Sequence, residues 1–384
     1  MVAGHTLFRI ILAAMSIALP ANASAEKLKS CSAEMAYVGP PTISVVMPDV
    51  VSSPAEQTVP NSDGLSALFA DMFTKSKAAS MSVGLANQTG PIWSETLGLE
   101  DAEKLHYWAS VGKSFTAVVI MQLIEDQRLS LDDKLSNWID DVPNGDLITI
   151  KMLLDHTSGL YSANEDRTAA AKGEEPLSLE DNIKILNRHG ALFCPGQYWR
   201  YSNTGYLFLG EIAKQIYRQP LSQIIQVQII DRIGLKNTRM IIADDDMSDI
   251  AKPRSPDDQK SDIRTPGPAG PIAATSADMI AFWRAFLAGD LVEAKTRDQM
   301  FAELFPMFDK STYYGLGVMA IQAPDSEGKP AIWVGHAGGM PGIRAFVMID
   351  PVTLQYGAVA LTGDGPASAV AYNMLQEWQK GSPP

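Results

Sequence analysis

A serine and a lysine three positions apart, Ser110 and Lys113, are the first residues whose types and spacing predict chemistry. On a helix, positions i and i+3 share one face, so the amine can take the proton of the hydroxyl and make the serine a nucleophile. The same Ser-x-x-Lys pattern also begins at Ser24 and Ser326, which stand beside a predicted cleavage point and in a predicted turn. Only the copy at Ser110 opens an apolar helix.

That helix is predicted to be buried on all sides, because residues 115–121 (FTAVVIM) leave almost no polar face. Ser110 alone could be the N-cap of such a helix. Lys113 does not fit that interpretation, since a cation in the first turn opposes the helix dipole and a buried ammonium is costly. We therefore predict that the pKa of Lys113 is lowered and that its amine accepts a proton.

Two further motifs follow in the chain. Tyr201-Ser202-Asn203 is its only Tyr-x-Asn, and His336-Ala337-Gly338 is its only His-x-Gly. An isolated tyrosine of this kind is more often a packed residue with a satisfied hydroxyl than a catalytic one. The order of the three motifs therefore carries the prediction.

Other catalytic motifs are excluded. A phosphate-binding loop ending at Gly112-Lys113-Ser114 would need its first glycine where Tyr107 stands. The sequence has no Gly-x-Ser-x-Gly elbow and no His-Glu-x-x-His helix. The four histidines after His5 are not closely spaced, which argues against a zinc site. Rossmann glycines are also absent, and no metal or organic cofactor is implied.

Composition predicts a soluble globular protein. The chain has 384 residues, 46% of them hydrophobic, two cysteines and a formal net charge of −13. An acidic chain without a long basic run argues against nucleic acid, because phosphate contacts need clustered Lys and Arg. No segment is apolar over the roughly 20 residues that a membrane span needs. The predicted partner is a small-molecule or peptide substrate, and the oligomeric state stays open.

The N terminus predicts an export signal. Arg9 precedes a short apolar stretch, and Ala23-Ser24-Ala25 is a small-x-small site after which we predict cleavage. The product would be periplasmic or secreted. Export would expose Cys31 and Cys194 to an oxidising compartment, but spacing alone does not decide whether they pair.

Hydrophobic periodicity predicts strands at both ends of the chain and helices between them. A helix and a hairpin are expected by residue 97, and helical spacing dominates from 110 to 233, including one run over 110–138. The polar, proline-rich run 244–271 predicts a surface loop. The remainder predicts a helix near 277–287, strands over 314–321, 332–336, 344–349 and 356–361, and a closing helix over 367–378.

The three motifs, in this order, resemble the serine β-lactamase and penicillin-binding superfamily, in particular its class C-like branch. Residues 153–160 (LLDHTSGL), 201–210 (YSNTGYLFLG) and 335–342 (GHAGGMPG) also resemble segments of that family. The resemblance extends from about Leu65 to the C terminus.

This resemblance implies a two-step acyl transfer through an acyl-enzyme on Ser110. Lys113 and Tyr201, the latter as phenolate or phenol, would move the proton from the nucleophile to the leaving group. Asn203 would orient Lys113 and the acyl side chain.

The resemblance also assigns roles to the third motif. The backbone N–H groups of Ser110 and Gly339 would hold the oxyanion, beside Gly338. His336 would line the site and meet a substrate carboxylate or polar group. It replaces the lysine of the Lys-Thr-Gly that class C β-lactamases usually have, which disfavours strong β-lactamase activity. Gly112 and Pro271 also look unusual, and the sequence gives no account of them.

The implied fold is an α/β (α+β), β-lactamase/transpeptidase-like one, with an antiparallel sheet flanked by helices. N- and C-terminal segments build the sheet, and a mainly helical domain is inserted between them. We predict a signal peptide over 1–25, an extended proline-rich segment over 26–60, an α/β domain from 61–128 and 268–384, and a helical domain over 129–267. The site would lie in the cleft where the two domains meet.

The predicted function is an exported serine hydrolase that cleaves an amide (peptide) or ester bond, in the manner of a peptidase or carboxypeptidase. The alternatives are a carboxylesterase, a weak β-lactamase, or a non-catalytic peptidoglycan- or peptide-binding module with the same fold. The complete Ser, Lys and Tyr set disfavours the binding module. An interfacial lipase would need an apolar lid that the sequence does not reveal. The substrate and its stereochemistry stay open.

Overall fold

The strands form two antiparallel sheets in the computed structural model, which describes residues 31–48, 62–98, 104–167, 176–255 and 262–381. Over these ranges, eight strands form one sheet in the order β2-β1-β11-β10-β9-β8-β7-β6, and three form a second in the order β3-β5-β4. The predicted export signal lies outside the described residues. The strands are β1 Ser80–Ala86, β2 Pro91–Leu97, β3 His106–Tyr107, β4 Thr238–Met240, β5 Ile272–Ala274, β6 Phe305–Pro306, β7 Thr312–Tyr314, β8 Met319–Pro324, β9 Pro330–Met340, β10 Ile343–Asp350 and β11 Gln355–Thr362.

The helices fall at both ends of the chain and throughout its middle. A π-helical turn over Gln226–Asp231 continues the sixth of them, and 3-10 turns cover Ala109–Gly112 and Gly267–Ala269. The α-helices are α1 Ser62–Ser76, α2 Lys113–Glu125, α3 Ile150–Leu154, α4 Leu179–His189, α5 Asn203–Tyr217, α6 Leu221–Ile225, α7 Ser276–Ala288, α8 Ala294–Phe301 and α9 Ala367–Gly381.

The large sheet joins the two ends of the chain, which confirms the predicted fold class. β1 pairs with β11, so that Val83 lies opposite Val359. Every residue of β1 is buried, because helices cover both faces of the sheet. Side chains of β10 alternate between the two faces: Phe346 points towards α1 and α9, and Val347 points towards α2 and α7. The predicted domain boundaries stay a prediction.

The helical run predicted over 110–138 is an α-helix only in α2. This stretch starts with the turn Ala109–Gly112 and continues as α2. The helix ends at Glu125, and two residues later Gln127 has a φ of 54°. Residues 126–134 form turns, although Leu129 among them is buried. Periodicity reports which side chains are buried, and turns that pack leucines inward give the same signal.

The predicted strand 314–321 is two strands, β7 and β8, joined by a turn. Gly317 has a φ of 77°, and a Cβ there would lie 2.3 Å from the Cβ of Ala117 in α2. Only glycine permits this close approach, so the turn packs directly against α2. Helix α8 was not predicted, because its polar sequence AKTRDQMF has weak amphipathicity.

The proline-rich run 244–271 is a surface loop only in part, which corrects the prediction for its end. The turn Gly267–Ala269 packs on α2, where Thr116 Oγ1 donates a hydrogen bond to the Pro268 carbonyl at 2.8 Å. A Cβ on Gly112 would lie 2.5 Å from Pro271 Cδ. The two residues that looked unusual in the sequence therefore contact each other, and Gly112 lacks a side chain because Pro271 occupies that space.

Cys31 and Cys194 form a disulfide, with 5.7 Å between their Cα atoms. Beyond it, the Met35 N–H donates to the Pro195 carbonyl at 2.8 Å, and Ile43 forms a β-bridge with Leu304. The N-terminal segment is thus bound at residues 31–35 to the loop that leads to Tyr201, and at Ile43 to the residue before β6. Among the helices in the described ranges, we find none with the length and apolarity of a bilayer span.

Candidate active site

Ser110 lies in the 3-10 turn that enters α2. The Trp108 N–H donates to the Ile272 carbonyl at 2.9 Å, and the Trp108 indole donates to Ala274 at 3.0 Å, which fixes the start of this turn. Ala109 has a φ of 47°, an unfavourable conformation for a residue with a side chain. Ser110 keeps some exposure while both neighbours are buried. The turn therefore presents one hydroxyl at the mouth of a buried helix.

Lys113 is fully buried, and its amine touches three polar groups. Nζ lies 3.2 Å from Ser110 Oγ and 2.7 Å from Asn203 Oδ1, and it also bonds the Ala269 carbonyl. Burial holds the pKa of Lys113 well below its ordinary value, as the sequence predicts. A neutral amine has two N–H groups, which donate to Asn203 Oδ1 and to the Ala269 carbonyl. Its lone pair is then left for the Ser110 hydroxyl.

Tyr201 completes the group around the nucleophile. Its ring centroid lies 4.8 Å from Lys113 Nζ. Burial raises the pKa of Tyr201, and the interaction of its hydroxyl with the nearby Ser110 side chain opposes that shift only in part. Of the two protonation states that the sequence leaves open, this environment favours the neutral phenol.

Asn203 is held with its amide oxygen towards Lys113. Its Nδ2 donates to Asn164 Oδ1 at 3.1 Å, and its backbone N–H donates to Ser162 Oγ at 3.0 Å. Asn164 is therefore a contact of the predicted site that the sequence analysis missed. It lies in a short 3-10 turn, Ala163–Glu165, and no motif marks it.

Strand β9 brings the third motif to the nucleophile. A Cβ on Gly338 would lie 2.3 Å from the Trp108 carbonyl oxygen and 3.1 Å from the Ser110 nitrogen, so only glycine permits this approach. Pairing with β8 ends at Gly335. Beyond that point the Ala337 N–H still faces the β8 side, where it donates to Met319 Sδ at 3.3 Å. Because N–H directions repeat every second residue, the Gly339 N–H faces the same open edge.

His336 is buried behind the nucleophile, at 1% exposure. Its Nδ1 lies 2.7 Å from the Ala337 carbonyl, which can only accept, so the proton is on Nδ1 and the Tyr314 hydroxyl donates to Nε2 at 3.0 Å. Burial and the nearby Lys113 lower the pKa of His336 to about 3, which leaves the ring neutral. The contact of His336 with a substrate stays a prediction. A substrate group would have to replace Tyr314 or the Ala337 carbonyl as a hydrogen-bond partner of the ring.

With this geometry established, comparison with known proteins places the chain in a family. Residues 65–377 match the family model described as Beta-lactamase. Penicillin-binding protein 4* of Bacillus subtilis (strain 168) is 26% identical over 264 residues, which is 62% of this chain and 56% of that protein. Esterase EstB of Burkholderia gladioli is 28% identical over 151 residues, which is 35% of this chain and 38% of that protein.

This chain therefore spans only about half the length of the curated penicillin-binding relatives it matches. The solved structure of D-amino acid amidase from Ochrobactrum anthropi SV3, complexed with L-phenylalanine amide, is similar with a TM-score of 0.71 at 19% identity. The match covers 83% of this chain and 97% of that one, and at this identity it shows the fold alone. Because the family match includes most of the sequence and all three motifs, the chain belongs to the Beta-lactamase family.

Proposed function

We propose that the chain hydrolyses an amide or ester bond of a small or peptide substrate through an acyl-enzyme on Ser110. One observation supports this more than any other. The buried amine of Lys113 lies 3.2 Å from Ser110 Oγ, while two acceptors occupy its N–H groups. An uncharged amine with a free lone pair beside a hydroxyl is a general base for a nucleophile.

The proposed acylation moves one proton and exchanges one bond. Ser110 Oγ attacks the substrate carbonyl carbon, and its proton passes to Lys113 Nζ. When the tetrahedral intermediate collapses, the bond from carbon to the leaving nitrogen or oxygen breaks, and the Tyr201 hydroxyl donates its proton to that atom. Lys113 then returns its proton to Tyr201, which restores both groups. Water then repeats the sequence on the acyl-enzyme and releases the acid.

The negative charge on the carbonyl oxygen needs donors that are in place before the reaction. We assign these to the backbone N–H groups of Ser110 and Gly339, since β9 and the Ser110 turn are in contact through Gly338. Backbone donors fixed in this way favour the transition state over the bound substrate. Asn203, held by Asn164, keeps Lys113 oriented throughout.

Among amide and ester substrates, we favour amides of peptide type and keep a carboxylesterase and a weak β-lactamase as alternatives. The curated relatives include a penicillin-binding protein and an esterase, and a similar fold occurs in a D-amino acid amidase. A panel of L- and D-amino-acid amides, D-Ala-D-Ala peptides, p-nitrophenyl esters and nitrocefin tests this order. We expect turnover of an amide or peptide and slow turnover of nitrocefin. Absence of turnover together with absence of an acyl adduct in intact-mass spectra would favour the binding module.

We also propose that the chain is exported and cleaved after Ala25. The Cys31–Cys194 disulfide supports export, because such bonds persist in oxidising compartments. N-terminal sequencing of protein recovered from the periplasm or medium should begin at Glu26. Recovery only from the cytoplasm with Met1 retained would contradict this.

A further inference from the structure

His156 has no part in the proposed chemistry, yet it contacts the segment around Tyr201 in three ways. Its carbonyl accepts the Arg200 N–H at 3.0 Å. Its ring Nδ1 accepts the Ser202 N–H at 3.3 Å, and the centroids of the His156 and Tyr201 rings lie 4.3 Å apart. The residue before Tyr201, the residue after it and its ring are therefore all held by one histidine.

The hydrogen bonds fix the protonation of the His156 ring. The backbone N–H of Ser202 can only donate, so Nδ1 carries a lone pair and the proton is on Nε2. Nε2 is buried and has no hydrogen-bond partner among the described residues. Burial, with Lys113 and His336 nearby, lowers the pKa of His156 well below its ordinary value, so the ring stays neutral.

Two features of His156 are energetically unfavourable. Its φ is 67°, in the left-handed region that residues with a side chain rarely adopt. Its Nε2–H group is removed from water without a protein acceptor. Unfavourable features of this kind persist only where the surrounding contacts hold the residue in place, and they cluster at functional sites. Here both costs fall on the residue that holds the Tyr201 segment.

We propose that His156 is a positioning residue for Tyr201, which it holds through the two neighbouring backbone N–H groups so that the phenol stays beside Ser110. This rests on the proposed function, in which Tyr201 moves a proton. Because the ring contacts Tyr201 while remaining uncharged, it fixes the phenol without placing a cation beside the neutral amine of Lys113.

Two substitutions separate the ring acceptor from the rest of the side chain. His156→Asn and His156→Gly both tolerate a positive φ and both remove the ring, but only asparagine keeps an acceptor near the position of Nδ1. We expect His156→Gly to lower kcat by about 10- to 100-fold with little change in KM, because a small displacement of a catalytic group has effects of this size. His156→Asn should recover most of that loss. Equal losses in the two variants would overturn the proposal.

The closing experiment combines His156→Gly with Tyr201→Phe. If His156 acts through Tyr201, the glycine substitution should cause no further loss of kcat in the Tyr201→Phe background, whereas a purely structural role would give multiplicative losses. Multiplicative losses would overturn the proposal. Labelling of wild-type Ser110 by a fluorophosphonate tests the proposed function separately, so the two failures are distinguishable.

One measurement needs no variant and decides the matter if the glycine variant does not fold. In ¹⁵N NMR spectra of the wild-type protein at neutral pH, His156 should show a protonated Nε2 and an unprotonated Nδ1. A protonated Nδ1 would mean that the Ser202 N–H is not bound there and would overturn the proposal.

Discussion

Ser110→Ala is expected to abolish covalent labelling and to lower kcat by a factor on the order of 10⁶, the loss seen when a nucleophile is removed from a serine hydrolase. The substitution deletes one oxygen, which lies 3.2 Å from Lys113 Nζ and close enough to Tyr201 to affect the pKa of the phenol. The partly exposed site should tolerate the smaller side chain, so the thermal midpoint should change little. Intact-mass spectra after reaction with a fluorophosphonate measure the adduct, and peptide mapping locates it.

Ser114→Ala is the matched control. Ser114 stands one position beyond Lys113 and is buried, but its hydroxyl donates to the Gly317 carbonyl at 2.8 Å and not to the site. This variant should lose some stability and keep the label. A label that survives in Ser110→Ala, or that disappears in Ser114→Ala while the protein stays folded, would contradict the assignment of the nucleophile.

Lys113→Met is expected to lower kcat/KM by about 10²- to 10⁴-fold, the usual contribution of a positioned general base. Methionine approximates the length of the lysine and cannot accept a proton. In the wild type, activity should rise with pH through the lowered pKa of Lys113, because only the neutral amine is a base. The residual activity of the variant should lack this rise. A pH profile of kcat/KM with the same acid limb in both proteins would show that another group acts as the base.

The same substitution has an expected effect on stability, with a definite sign. Because the pKa of Lys113 is lowered by folding, there is a pH range below 10.5 in which the unfolded chain holds a proton on Lys113 that the folded chain has lost. Wild-type stability should therefore gain from Lys113 as pH rises towards the ordinary lysine pKa of 10.5. Lys113→Met lacks this gain. Urea unfolding at about pH 7 and about pH 10 should show the free-energy difference, wild type minus variant, increasing with pH.

The sequence was sufficient to predict the three motifs and the way the chain builds its sheet. Buried strands and helices leave periodic apolar patterns, and a buried lysine in a first helical turn is unusual enough to indicate function. The motif residues Ser110, Lys113, Tyr201 and Asn203 do lie together in the structure. Their individual catalytic roles stay predictions.

The contacts that the sequence did not reveal are made by groups without a side-chain signature. The Ala269 carbonyl accepts from Lys113, and every residue type offers such a carbonyl. Asn164 accepts a hydrogen bond from Asn203, which lies 39 positions away in the sequence. His156 accepts one from Ser202, which lies 46 positions away. The sequence alone did not account for Gly112. The structure explains it, because Pro271, far along the chain, fills the space of a side chain at this position. The pattern of residues in a short stretch of sequence indicates local structure. Contacts between residues far apart in the sequence depend on the tertiary fold.

The covalent link between Cys31 and Cys194 has a consequence for how the enzyme is prepared. It closes a loop between positions 163 residues apart. A cross-link of that span restricts the unfolded ensemble, and a chain-entropy treatment puts its effect at about 5 kcal/mol. Protein made in a reducing cytoplasm would lack this constraint and would be inactivated at lower temperature. Activities from such material would then understate what the oxidised enzyme sustains.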